Sequence, residues 1–198
     1  MFSEEKAAQV AAYLLNKAGE PMPKIKLLSL MYLADRQEIN DYGPSITGDV
    51  VVAMKHGPVL MNTFYLVNGY VRNADKWDEL IASKGGNTVA LRRPVTWPKD
   101  FSRMSQALEE ILSKVYEQFG HLDRWELVEY TQTLPEWKCP AEGYTAPITS
   151  KDILIALGKS PEDIEGALDF IDECDSWDSI DRYMCRGRDQ WISYAVAQ

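Results

Sequence analysis

Lys24–Tyr42 reads KIKLLSLMYLADRQEINDY, and the stretch from Leu27 to Ala34 inside it is almost entirely apolar. A helix that is apolar around most of its circumference is buried among other elements. The spacing therefore predicts a central core helix over 24–42. Pro23 stands near its start, where a missing N–H costs little, and Gly43-Pro44 ends it. Each buried Leu or Met should contribute about 1.5–3 kcal/mol.

The flanking sequence supplies what such a helix packs against. Ser3 is a good N-cap, followed by Glu4 and Glu5 at the positive end of a helix dipole. Ala7, Val10, Ala11, Leu14 and Leu15 then recur at helical spacing up to Gly19 and Pro21. Further helices are expected over Met61–Val71, over Phe101–Phe119, from Asp123 to about Gln132, and over Ser150–Leu157. Asp49–Lys55 reads as a strand broken by Gly57-Pro58. Trp77–Ala82 and Thr88–Leu91, around Gly85-Gly86, read as a hairpin. A lone hairpin is marginal, so the three strands are expected to pair. Pro135 to Pro147 reads as loop. The fold class expected is α+β and mostly α-helical. It is a helical bundle around a buried central helix, with a small antiparallel three-stranded sheet.

Charge divides the chain. The net charge is −9, and nine acids with no Lys or Arg lie between Ser160 and Asp181, so the remainder sums to zero. Ser160-Pro161 opens an acidic helix with an apolar stripe at Ile164, Leu168, Ile171 and Cys174 or Asp175. The expected division is a main domain over 1–158 and an acidic helical extension over 159–198 packed on it. Such acidity repels phosphate backbones and attracts basic partners, which argues against nucleic-acid binding by the chain alone. No run approaches the roughly 20 apolar residues that cross a bilayer, and the start carries Glu4 and Glu5 where a secretory signal is basic. A cytoplasmic protein with no membrane partner is expected. Cys139, Cys174 and Cys185 form no C-x-x-C, and only His56 and His121 could join them. Reduced thiols are expected, with no metal and no cofactor.

Isolated groups are the remaining candidates for chemistry. Asp35 falls on the apolar stripe of Leu28, Tyr32 and Ile39. A buried carboxylate there is either a general acid or base or an anchor for a neighbouring loop, and the anchor is favoured. His56, beside Gly57 and Pro58, could pair with Asp35, again more in the manner of a structural bond than of catalysis. Lys55, Arg92 and Arg93 offer positive charge to an acidic partner or a phosphate, or form simply a solvated face. Trp137, in Pro135-Glu136-Trp137-Lys138, is either exposed or docked, while Trp191 and Tyr194 could anchor the tail or a partner.

Five segments in order carry a resemblance. They are Lys26–Asp35 with Tyr32 and Asp35, then Ile46-Thr47-Gly48-Asp49, then Ala53–Val59 with Lys55, His56, Gly57 and Pro58. Glu126–Thr131 with the loop around Trp137 follows, and Pro147-Ile148-Thr149 with Asp152-Ile153 closes the set. Over about 5–157 the chain resembles the Panacea, or SocA-like, antitoxin domain. Gln132 stands where that family usually has His, and Ser45 rather than proline precedes Ile46. The resemblance implies a non-enzymatic antitoxin of a bacterial or prophage toxin–antitoxin pair. Its partner would be a cognate toxin, held by direct contact. Alternatives are an adaptor delivering a partner to an ATP-dependent protease, or an operon-autoregulating transcription factor. The motif residues are then candidate contacts, although Gly48 and Gly57 also suit backbone geometry alone.

Overall fold

The computed structural model describes residues 1–177. Trp191, Tyr194, Cys185 and the last two acids of the charged run lie outside the described residues. The element order begins with α1 (Glu4–Ala18), β1 (Met22–Pro23) and α2 (Lys24–Tyr42), then β2 (Val51–Met54), β3 (Gly57–Leu60), α3 (Met61–Asn68) and α4 (Asp75–Leu80). It continues with β4 (Ile81–Ser83), β5 (Thr88–Leu91), α5 (Gln106–Phe119), α6 (Arg124–Gln132), β6 (Ala146–Ile148) and α7 (Ser150–Ala156). A last helix, α8, covers 161–177.

The helix α2 is the axis of the core. Every residue from Leu27 to Asp35 is buried, and Leu27, Leu30, Tyr32 and Ala34 are fully enclosed. It packs against α1, α5, α6, α7 and β3. The Ser3 hydroxyl caps α1 by accepting from the Lys6 amide, and Gly19 closes that helix in the left-handed region at φ 67°. In α5 the stripe Leu108, Ile111, Leu112, Val115 and Phe119 is buried. That helix starts later than its apolar pattern suggested, because Ser105 caps the Leu108 amide. Phe101 and Met104 still join the core from the turns before it.

The protein is α+β and mostly helical, with small antiparallel three-stranded sheets, but the strands are shared out differently from the sequence reading. Two sheets form, ordered β1-β5-β4 and β3-β2-β6. The hairpin β4-β5 pairs with Met22–Pro23, not with 51–54. Both edges of β2 are occupied, by β3 and by β6. Gly57-Pro58 does not end a strand. It begins the return strand after the two-residue turn Lys55-His56, with Met54 opposite Gly57. The proline-rich loop likewise yields β6 at its end. Proline cannot donate to a ladder and so belongs at sheet edges. Pro23, Pro58 and Pro147 each lie in an edge strand. Of the strand expected over Trp77–Ala82, the part up to Leu80 is helix (α4), and only Ile81 and Ala82 are strand. Trp77 and Leu80, one turn apart, are both buried, and the Trp77 amide donates to Glu4 Oε1 at 2.9 Å.

In α8, Ile164 is buried and Ala167, Leu168, Ile171 and Cys174 are partly covered, while the acids face solvent. This helix lies against the far end of α2 at Gly43. Asp175 accepts from the Met1 amine at 3.2 Å. Among the described residues, no helix is long and apolar enough to cross a membrane.

Candidate functional site

The motif residues converge on the β2–β3 hairpin and on the loops that hold it. Asp49 stands just before β2 and acts across the fold as the cap of α3, whose own N-cap position is Leu60 and offers no side-chain bond. Its Oδ1 accepts from the amides of Val50 and Asn62 and from Asn62 Nδ2, at 2.7, 2.8 and 2.9 Å. Its Oδ2 accepts from the amide and hydroxyl of Thr63, at 2.8 and 2.7 Å. One carboxylate thus satisfies two of the orphan amides of the helix start, while the Met61 amide donates to the Val50 carbonyl. Asp49→Ala should cost about 2–3 kcal/mol in thermal or urea unfolding, with Asp49→Asn intermediate because one acceptor oxygen remains. A loss under about 0.5 kcal/mol for the alanine variant would contradict this role. Gly48, at φ 66°, packs against the Met1 backbone so closely that a Cβ there would lie 2.4 Å from the Met1 carbonyl oxygen.

Asp35 is fully enclosed. Its Oδ1 accepts from the Ile46 amide at 2.7 Å, and Oδ2 makes no hydrogen bond. Burial raises its pKa to about 7. The Ile46 bond and the nearby Ser45 hydroxyl pull it down, while the charges of Asp49 and Glu38 push it up further. Asp35 therefore anchors the 45–49 loop to α2. His56 does not pair with it. The imidazole sits on the exposed hairpin turn, edge-on to Trp125 at 5.9 Å between centroids.

Tyr32 leads to a group that the sequence reading quoted but did not single out, Glu136. The Tyr32 hydroxyl donates to Glu136 Oε1 at 2.7 Å, and Arg36 Nε donates to the same oxygen at 2.6 Å. The Glu136 side chain is fully buried and that of Arg36 is 18% exposed. Burial first, and then the Glu136 charge, hold the Tyr32 phenol far above its ordinary range. Trp137 is docked: half-buried on the core, it donates from Nε1 to the Met54 carbonyl at 3.0 Å. Gln132 Nε2 donates to the Lys55 carbonyl at 2.9 Å. The position where this sequence departs from the family pattern is thus a clamp on the hairpin turn. Lys26, also passed over, donates to the carbonyls of Gly120 and Leu122 at 2.8 and 2.7 Å, ending α5. Helical spacing could have flagged Arg36 as the neighbour of Tyr32 one turn on. Nothing local to 132–138 names Tyr32, Met54 or Lys55 as partners.

Gly57 has φ 112°, and a Cβ there would stand 2.6 Å from Thr131 Oγ1 in α6. Gly57→Ala should therefore cost about 1–3 kcal/mol through backbone strain, plus the clash. Gly85, at φ 85° with open space around it, serves as control because it bears the strain alone. Melting temperatures of the two variants should separate, with Gly57→Ala lower. Equal values would mean that the Thr131 contact is soft. Pro58 and Val59 carry the hairpin back along α2 and α6.

These clamps leave Lys55 and His56 exposed at one wall of a cleft of about 660 Å³. Lys24, Arg124, Trp125 and Tyr144 also line it. Arg92 and Arg93 lie elsewhere, within reach of Asp78, Glu79 and Asp100. Among the described residues, no group of three His, Cys, Asp or Glu side chains is placed to hold a metal ion. The motif side chains Tyr32, Asp35, Asp49 and Trp137 all form internal bonds, so this arrangement positions a rigid surface.

No curated protein and no solved structure matches the chain. The sequence model of one family does, that described as Antitoxin SocA-like, Panacea domain, over residues 27–138. That range starts in α2 and ends just past Trp137, so it encloses the hairpin, its α6 clamp and the Tyr32–Glu136–Arg36 group. With more than half of its length matched, the chain belongs to the SocA-like antitoxin, Panacea-domain family.

Proposed function

We propose that this chain is the antitoxin of a bacterial or prophage toxin–antitoxin pair, acting in the cytoplasm by binding its toxin directly and performing no chemistry itself. The observation that carries this reading is the family match over 27–138. The geometry agrees with it, since Asp35 and His56 point to different environments and the motif groups are spent on holding the hairpin. The exposed acids of α8 suit a basic toxin surface and would act on association rate more than on final affinity.

The test is co-expression with the neighbouring open reading frame, scored by growth and by pull-down. The neighbour should be toxic alone, harmless with this chain, and co-purified with it. A harmless neighbour with nothing retained would reject the antitoxin reading. Loss of the neighbour only when an ATP-dependent protease is present would point to the adaptor reading instead. A shift of the operon's own promoter DNA by the purified chain would favour autoregulation. Asp35→Asn and His56→Ala should both rescue growth fully once shown to be folded; loss of rescue in a folded His56→Ala chain that still retains the neighbour in pull-down would bring back a chemical role.

A further inference from the structure

The cleft beside the hairpin tip has an unusual charge for this molecule. The chain carries −9 overall, yet among the described residues no Asp or Glu lines the cleft, while Lys24, Lys55 and Arg124 do. None of these three makes an ion pair among the described residues. Asp123, next to Arg124, gives one carboxylate oxygen to the Trp125 and Glu126 amides of its own helix and feels the Arg124 charge without forming an ion pair with it. The cations come from three elements, namely the first turn of α2, the β2–β3 turn and the first turn of α6, which distributes positive charge around the wall. Between them lies apolar surface from Leu28, Val59 and Phe64. At the mouth stand Trp125, 49% exposed under the Arg124 guanidinium, and Tyr144, 73% exposed. Trp, Tyr and Arg are the residue types that anchor protein interfaces.

We infer that this cleft is a docking site for an acidic, apolar-spaced peptide segment of a partner protein, its carboxylates meeting Lys24, Lys55 and Arg124 and its apolar side chains entering between Leu28, Val59 and Phe64. The inference goes beyond toxin neutralisation, because it names the chemistry that this face takes whichever protein presents it. Unpaired cations gain from an incoming carboxylate without first breaking an ion pair. The volume is that of a site for a few side chains. The neighbouring sheet edges do not invite strand addition, since the edge strands β1 and β3 contribute Pro23 and Pro58 to the cleft wall and proline blunts an edge. Recognition therefore runs through side chains. A nucleic acid would need a longer basic stripe and would meet the repulsion of the whole acidic chain.

The test titrates the full chain into a fluorescein-labelled heptapeptide alternating glutamate with leucine and phenylalanine, read by anisotropy. The glutamate peptide should bind, and its glutamine counterpart should bind at least about tenfold more weakly. Binding should weaken as salt rises. The triple variant Lys24→Glu, Lys55→Glu, Arg124→Glu should lose at least about tenfold in affinity while melting within a few degrees of the parent. Trp125→Ala should weaken binding of the glutamate and glutamine peptides alike. Absence of binding, equal binding of the glutamine peptide, or an unaffected, folded triple variant would overturn the inference. Tighter binding of a labelled oligothymidylate or a mononucleotide would also overturn it.

Discussion

Glu136→Ala is expected to cost about 3–5 kcal/mol, the penalty for removing one partner of a buried ion pair and leaving the other without compensation. For a chain of this size that is a fall of roughly 10 °C in melting temperature. The fully buried Glu136 side chain takes two short bonds on one oxygen, from Tyr32 and from Arg36. Its loss strands a buried phenol hydroxyl and a partly buried guanidinium. Tyr32→Phe removes one donor but leaves the ion pair, and should cost only about 1 kcal/mol. The paired replacement Arg36→Met with Glu136→Leu removes both charges, so it should recover most of the loss. Urea unfolding of the four proteins decides the matter. A loss under about 1 kcal/mol for Glu136→Ala, or no recovery in the pair, would show that the network contributes little. The consequence reaches the surface as well: Glu136 fixes the loop whose next residue, Trp137, holds the Met54 carbonyl at the base of the hairpin. A folded Glu136→Ala chain should therefore bind partners less well even with Lys55 and His56 intact.

Stability is expected to fall as pH rises from about 4 to about 7, the reverse of the usual behaviour of paired carboxylates. Asp35 has a pKa raised to about 7 by burial, so the folded chain holds a proton there that the unfolded chain releases near 4. Between those values the folded state binds more protons, and stability declines as pH climbs through the window. The loss amounts to about 4 kcal/mol at most, complete once Asp35 is ionised. Glu38, also raised by burial, adds in the same direction. Asp100, Asp123 and Asp152, all lowered by their hydrogen bonds, act oppositely, losing their stabilising contribution only as pH falls below the ordinary carboxylate range. Asp35→Asn keeps an acceptor for the Ile46 amide and cannot ionise. It should flatten the slope between pH 4 and 7 and equal or exceed the parent in stability at pH 8, as measured by melting in matched buffers. A parent slope that persists unchanged in the variant would place the titration elsewhere.

Much of this fold is local and so legible. The capping of α1 by Ser3, the glycine that ends it, and the burial of Leu27–Asp35 in α2 follow from propensity and from a period of 3.6 residues, which need no knowledge of partners. The same holds for the burial of Asp35 on the stripe of α2 and for the strand that ends before Lys55, though not for its return over Gly57–Leu60. The motif segments were legible as a family pattern before any of their contacts were known.

What only the tertiary structure decided is pairing. Residues 51–54 carry no mark that chooses the 57–60 and 146–148 strands over the β4–β5 hairpin, because β-branched runs suit any edge of the right register. Asp49 is an ordinary loop acid until the fold brings α3 to it, 13 residues on. Glu136 meets Tyr32 and Arg36 across separations of 104 and 100 residues. The cleft joins cations that are far apart in the chain. Helix caps and apolar stripes are set by neighbours within a turn or two, so the sequence by itself determined them. Strand partners, buried ion pairs and surface charge patterns are set by long-range packing, which is where the shape of the candidate binding face was decided.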